Sequence, residues 1–132
     1  MHKLIYIFLV VSFVACDPID YKLKIYNQSD SPVYCIHSFK EELSLLDSTV
    51  AEPYNGKGIT PNQHYIIMAN YVTWEGEINK ESPDGKLRMY IFKEDSVNKY
   101  SWKNLIEEKK YDKKYVLSIS ELEQINWVIQ LH

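Results

Sequence analysis

The chain has 132 residues, 15 basic against 18 acidic side chains, a formal net charge of −3 and 45% hydrophobic residues. That length makes one domain with a modest core. The basic doublets Lys109-Lys110 and Lys113-Lys114 are flanked by acids, which argues against the clustered positive charge that nucleic acid requires.

Met1-His2-Lys3 opens the chain with positive charge, and Leu4 to Val14 is uncharged and almost wholly apolar. A membrane-spanning helix needs about 20 such residues. This run is shorter and has the length of an export-signal core. It ends in Phe13-Val14-Ala15-Cys16, which resembles the lipobox of bacterial lipoproteins. The resemblance implies that residues 1–15 are cleaved as a signal peptide. The Cys16 thiol then carries diacylglycerol and fatty acid such as palmitate. Buried methylenes contribute about 0.8 kcal/mol each, so such attachment is effectively permanent. Residues 16–20 form a tether reaching roughly 15 Å, and residues 21–132 form a β-rich domain close to the lipid headgroups.

Tyr21 to Asn27 alternates, with Tyr21, Leu23 and Ile25 on one face, and reads as a half-buried strand. Asn27 to Pro32 is a turn cluster. Val33 to Ser38, with Val33, Cys35 and His37 on one face, reads as the returning strand of a hairpin. Lys40 to Val50 fits either a helical turn or an irregular edge, and Asn55 to Gly58 is a loop. His64 to Tyr71 reads as a central strand that Thr73 to Ile78 extends or borders. Ser82-Pro83-Asp84-Gly85 fits a type I turn, followed by a strand over Lys86 to Phe92. Ser101 is the expected N-cap of a helix over Trp102 to Lys109. A short strand, Tyr115 to Leu117, comes next. Ser118 with Glu121 is a capping-box pattern for a helix burying Leu122 and Ile125. Trp127, Ile129 and Leu131 alternate in a last strand.

Strands at near-regular intervals predict a mainly β fold: a two-sheet antiparallel sandwich, immunoglobulin-like or transthyretin-like, with two short C-terminal helices. The alternative is a single sheet with helices on one face. Three stretches, Tyr21 to Asp30, Tyr90 to Trp102 and Tyr115 to Trp127, also resemble small lipoproteins of Bacteroidetes-type bacteria. That resemblance implies location and architecture, and no catalytic residue.

Catalytic and metal-binding patterns are sparse. His2, His37, His64 and His132 lack paired spacing, and a zinc site needs three or four convergent ligands. No nucleophile elbow, phosphate-binding loop or dinucleotide fingerprint is present. Glu75 and Glu77 read as an acidic strand edge that blocks aggregation. With Cys16 lipidated, Cys35 has no partner in the chain, and reads as a buried small hydrophobe or as half of an intermolecular bridge. Trp102 and Trp127 read as core anchors. Trp74, beside a charged turn, is the aromatic best placed for an exposed ligand contact, with Tyr54, Tyr65 and Tyr71 completing a possible sugar-stacking face. The sequence thus predicts a lipid-anchored outer-membrane protein of the cell envelope that binds or assembles with a protein or glycan partner. It predicts no enzyme, cofactor or metal. A carbohydrate-binding accessory lipoprotein is the second reading, and a small hydrolase a remote third.

Overall fold

The structure is a computed structural model that describes residues 19–45, 49–51 and 58–132. The predicted leader and Cys16 lie outside these residues. The strands are β1 (Lys24–Asn27), β2 (Val33–Ser38), β3 (Thr49–Ala51), β4 (His64–Ile66), β5 (Lys86–Lys93), β6 (Lys113–Ser118) and β7 (Val128–Leu131). The helices are α1 (Trp74–Glu81), α2 (Glu94–Lys99), α3 (Trp102–Glu107) and α4 (Ile119–Gln124). One sheet has the order β4-β1-β7 and the other β3-β2-β5-β6. The fold is therefore mainly strands in two sheets with short helices, and the single-sheet alternative is set aside.

The central pair of the second sheet, β2 and β5, is buried on both faces. All six residues of β2 are buried, as are the six inner residues of β5. Their odd-numbered residues, Val33, Cys35, Leu87, Met89 and Ile91, join Leu23, Ile25, Ile129 and Leu131 from the first sheet in one buried cluster. Their even-numbered residues, Tyr34, Ile36, Tyr90 and Phe92, pack under Leu105 and Ile106 of α3. Trp102 meets Tyr34 and Phe92 edge-on, with ring centroids 5.9 and 5.4 Å apart, a favourable aromatic geometry. The arrangement is thus sheet, sheet and helices. The outer strand β6 exposes Lys113 and Lys114, charges that protect an open edge.

Several expectations are corrected. The segments β1 and β2 do not form a hairpin, because they belong to different sheets. The buried Asn27 side chain explains the crossing: its amide donates to Ser31 O and Ile59 O, and its oxygen accepts from Ser29 N. These bonds fix the loop, and Val33 pairs with Ile59 instead. Pairing is not wholly antiparallel. The chain leaves α4 through two left-handed residues, Asn126 (φ 51°) and Trp127 (φ 59°), and β7 then runs parallel to β1.

The strand expected over His64 to Tyr71 is short and lies at an edge, with only Tyr65 of His64–Ile66 half-buried. Thr73 to Ile78 is not a strand. Thr73 is an N-cap whose hydroxyl accepts from Gly76 N, and Trp74 to Glu81 is helical. The alternation there is compatible with period 2, but Trp74 and Ile78 also stand four apart on one helical face. The helix α2 was not anticipated; no side-chain bond caps its N-terminus. Three short helices rather than two therefore occupy the C-terminal part. Ser118 and Glu121 do form the capping box, and Leu122 is buried, but Ile125 is 40% exposed.

Trp74 plugs the space between the sheets at the end where β1 begins and β2 finishes. It is fully buried, its indole nitrogen donates to Ile67 O at 3.1 Å, and its ring stands edge-on to His37 at 5.6 Å. Truncating a buried aromatic leaves a cavity that costs about 3–5 kcal/mol. Trp74→Ala is accordingly expected to lower unfolding free energy by about that amount in urea titrations. A loss below about 1 kcal/mol contradicts the plug.

Candidate functional site

The candidate site lies where the segment from Ile19 to Lys24 meets the start of α1. Residues 19–24 and 66–72 run alongside one another there, with Ile67 N donating to Leu23 O and Ala69 N to Asp20 O. Asp20 ties this ribbon to α1: its carboxylate accepts from Trp74 N at 3.0 Å and Lys22 N at 3.0 Å. Burial raises the Asp20 pKa, but these two amides and the Lys22 charge outweigh it and hold the group below its ordinary value. Lys22 pairs with Asp20 and Glu75 and lies 4.3 Å from the Trp127 ring centroid. Burial lowers its pKa, yet those two carboxylates leave it raised overall.

The loop before α1 is clamped from the other side. Glu77 is buried on the inner turn of α1 and accepts from Asn70 N at 2.7 Å and Asn70 Nδ2 at 3.0 Å. Between these clamps opens a shallow groove of about 730 Å³, whose walls include Ile19, Tyr71, Val72 and Lys80. Lys80 Nζ sits 4.2 Å from the Tyr71 ring centroid, and the Tyr71 hydroxyl donates to Glu81 at 2.9 Å. Ala69, Thr73 and Gly76 also line it, and a Cβ at Gly76 would stand 3.0 Å from the Thr73 cap oxygen.

The expected aromatic binding face is not assembled. Trp74, the aromatic best placed by the sequence for an exposed ligand contact, is fully buried in the core and offers no ring to a sugar. Trp127 is buried in the cluster between the sheets, Trp102 packs beneath the helices, Tyr65 is half-buried, and Tyr71 is exposed. Tyr54 lies outside the described residues. Glu75 and Glu77 are not a strand edge: one pairs with Lys22 and the other is buried against Asn70.

His37, His64 and Glu75 do not converge, and among the described residues no group of three His, Cys, Asp or Glu side chains is placed to hold a metal. His64 stacks on Tyr26 at 4.2 Å on the outer face of the first sheet. His37 is buried between the rings of Phe39 and Trp74. Cys35 is fully buried, which pushes its thiol up to about 12 and keeps it protonated. It is a core hydrophobe, as one sequence reading had it.

An ion pair between the buried Arg88 and the exposed Asp84 was missed by sequence reasoning. Arg88 projects from β5 back onto the Ser82–Gly85 turn, where its guanidinium makes two bonds to Asp84, at 2.6 and 3.1 Å. That guanidinium holds the Asp84 carboxyl well below the usual carboxylate range. The i, i+4 spacing of Asp84 and Arg88 was visible, but it spans a turn and a strand rather than a helix, where such spacing ordinarily counts.

Comparison with protein-family models, with curated proteins and with solved structures finds no match to this chain. Among the described residues no helix is long and apolar enough to cross a membrane.

His37 supplies a pH test of this end of the core. Burial lowers its pKa from 6.5 to about 4, and neither ring nitrogen has a hydrogen-bond partner. Between those values the unfolded chain binds a proton that the folded chain excludes. Stability is therefore full above pH 6.5 and falls as the pH drops towards 4, by about 3 kcal/mol. Urea unfolding at pH 7.5 and 4.5 should show this loss, and His37→Phe should remove most of it. An unchanged pH slope in the variant contradicts the assignment.

Proposed function

We propose that this chain is a small lipid-anchored protein of the bacterial cell envelope, attached to the outer membrane through diacylglycerol and fatty acid on Cys16. Its domain acts as a non-catalytic binding or assembly partner at the membrane surface. The observation that carries the reading is the apolar run from Leu4 to Val14 ending in Ala15-Cys16. The run is short for a membrane span and ends in a thiol able to accept lipid.

Two further points support it. Asp20, four positions after Cys16, is already bonded to Trp74 N of the core, which supports a domain close to the attachment point. The one free thiol among the described residues, Cys35, is sealed in the core and protonated, which suits packing and not nucleophilic catalysis. For the architecture, we propose a two-sheet sandwich of the immunoglobulin-like or transthyretin-like kind. The buried cluster shared by both sheets supports it. Likeness to small Bacteroidetes-type lipoproteins belongs to the same proposal.

Expressed with its leader in a diderm bacterium, the wild-type chain should incorporate labelled palmitate and fractionate with the outer membrane. Its mature form should begin at an acylated Cys16 by mass spectrometry. Cys16→Ser should lose both the label and the processing. Labelling that persists in Cys16→Ser, or a wild-type chain with no acyl group, overturns the reading.

A further inference from the structure

Nine large apolar side chains are exposed among the described residues, and six of them, Ile19, Tyr21, Ile66, Met68, Tyr71 and Val72, lie on the two hydrogen-bonded segments beside the tether. Single exposed apolar residues are ordinary, whereas Ile19, Tyr71 and Val72 share one groove, with Met68 on the adjoining backbone, and such a grouping marks a contact surface. Ile19, Tyr71 and Val72 are 50%, 41% and 51% exposed and line the groove. These residues are held in place: Asp20 and Glu77 clamp the backbone on either side of them.

We infer that this surface rests on, and partly enters, the lipid bilayer that anchors the chain. The inference rests on the acylation of Cys16 proposed above. Two residues, Asp17 and Pro18, separate Cys16 from Ile19, and the three steps between those two Cα atoms reach roughly 10 Å at full extension. Apolar side chains at a membrane interface bury themselves about 5–10 Å deep. A lipid on Cys16 therefore brings Ile19, and the groove it lines, within the headgroup layer. Tyr71 and Lys80 suit that depth, since tyrosine favours the headgroup level and lysine can lay its stem on apolar groups with its ammonium in water. The surrounding charges nearly cancel: Lys22 and Lys80 stand beside Asp20, Glu75 and Glu81. Apolar contact, not attraction to anionic lipid, carries the interaction.

The test uses the full chain expressed with its leader and purified in detergent. Acylation of Cys16 is verified by mass spectrometry. Val72→Cys introduces an accessible thiol, since Cys35 is buried. An environment-sensitive fluorophore on it is read after reconstitution into phosphatidylcholine vesicles carrying nitroxide lipid, and Lys103→Cys on exposed α3 is the reference site. Met68→Cys serves as a second probe, and unchanged thermal unfolding confirms that each variant is folded. Quenching several-fold stronger at positions 72 and 68 than at 103, and unaltered by added phosphatidylglycerol, is expected. Equal quenching at all three sites with Cys16 acylated overturns the bilayer contact and leaves the anchor standing. Disulfide-linked dimers through position 72 with no quenching assign the surface to a second copy and also overturn it. An unmodified Cys16 overturns the anchor and this inference together.

Discussion

The rest of the structure depends on one constraint: the β2–β5 pair is apolar on both faces and must be covered on both. A sheet with one polar face can meet water, but a pair whose residues are buried without alternation needs a layer on each side. The first sheet supplies one cover through Leu23, Ile25, Ile129 and Leu131, and α3 supplies the other through Leu105 and Ile106. Neither cover is large. On the helical side the aromatic side chains Tyr34, Tyr90, Phe92 and Trp102 add to the layer beneath the six-residue α3. The polar groups admitted to these layers are handled differently. Arg88 reaches the turn and pairs with Asp84, whereas His37 stays neutral between aromatic rings.

Covering both faces leaves an end to be closed, and α1 closes it. Trp74 enters between the sheets, while the amide of the same residue binds Asp20 in the segment before β1. One residue thereby joins the core to the first described part of the chain. The bonds from Asp20 and Glu77 then present Ile19, Tyr71 and Val72 outward on a fixed frame. Within the loop before α1, Ile67 and Ala69 turn into the core while Tyr71 and Val72 remain outside it.

Much of the second sheet was legible. The strand over Lys86 to Phe92, the Ser82–Gly85 turn and the Ser101 and Ser118 caps rest on local chemistry and emerged as read, whereas burial of both faces of that strand was not read. Long-range choices were not legible. Strand-turn-strand patterning over Tyr21 to Ser38 suits a hairpin equally with a crossing between sheets, and the deciding bond, Asn27 to Ile59, spans 32 positions. The run Thr73 to Ile78 carries apolar residues four apart, which fits either period, so Trp74 could be placed on the surface or in the core. Thr73 followed by two acids was the available sign of a helix start. The exposed patch was illegible for a similar reason: Ile66, Met68 and Val72 look like core residues until neighbouring strands are assigned. Cys16 stands on its sequence context alone.

Native-state hydrogen exchange tests the doubly covered pair most directly. Amides of β2 and β5 should exchange only through global unfolding, with opening free energies that match the value from denaturant titration, while the outer strands β4 and β6 open at lower cost. Protection in β2 no greater than in β6 would contradict the layered account.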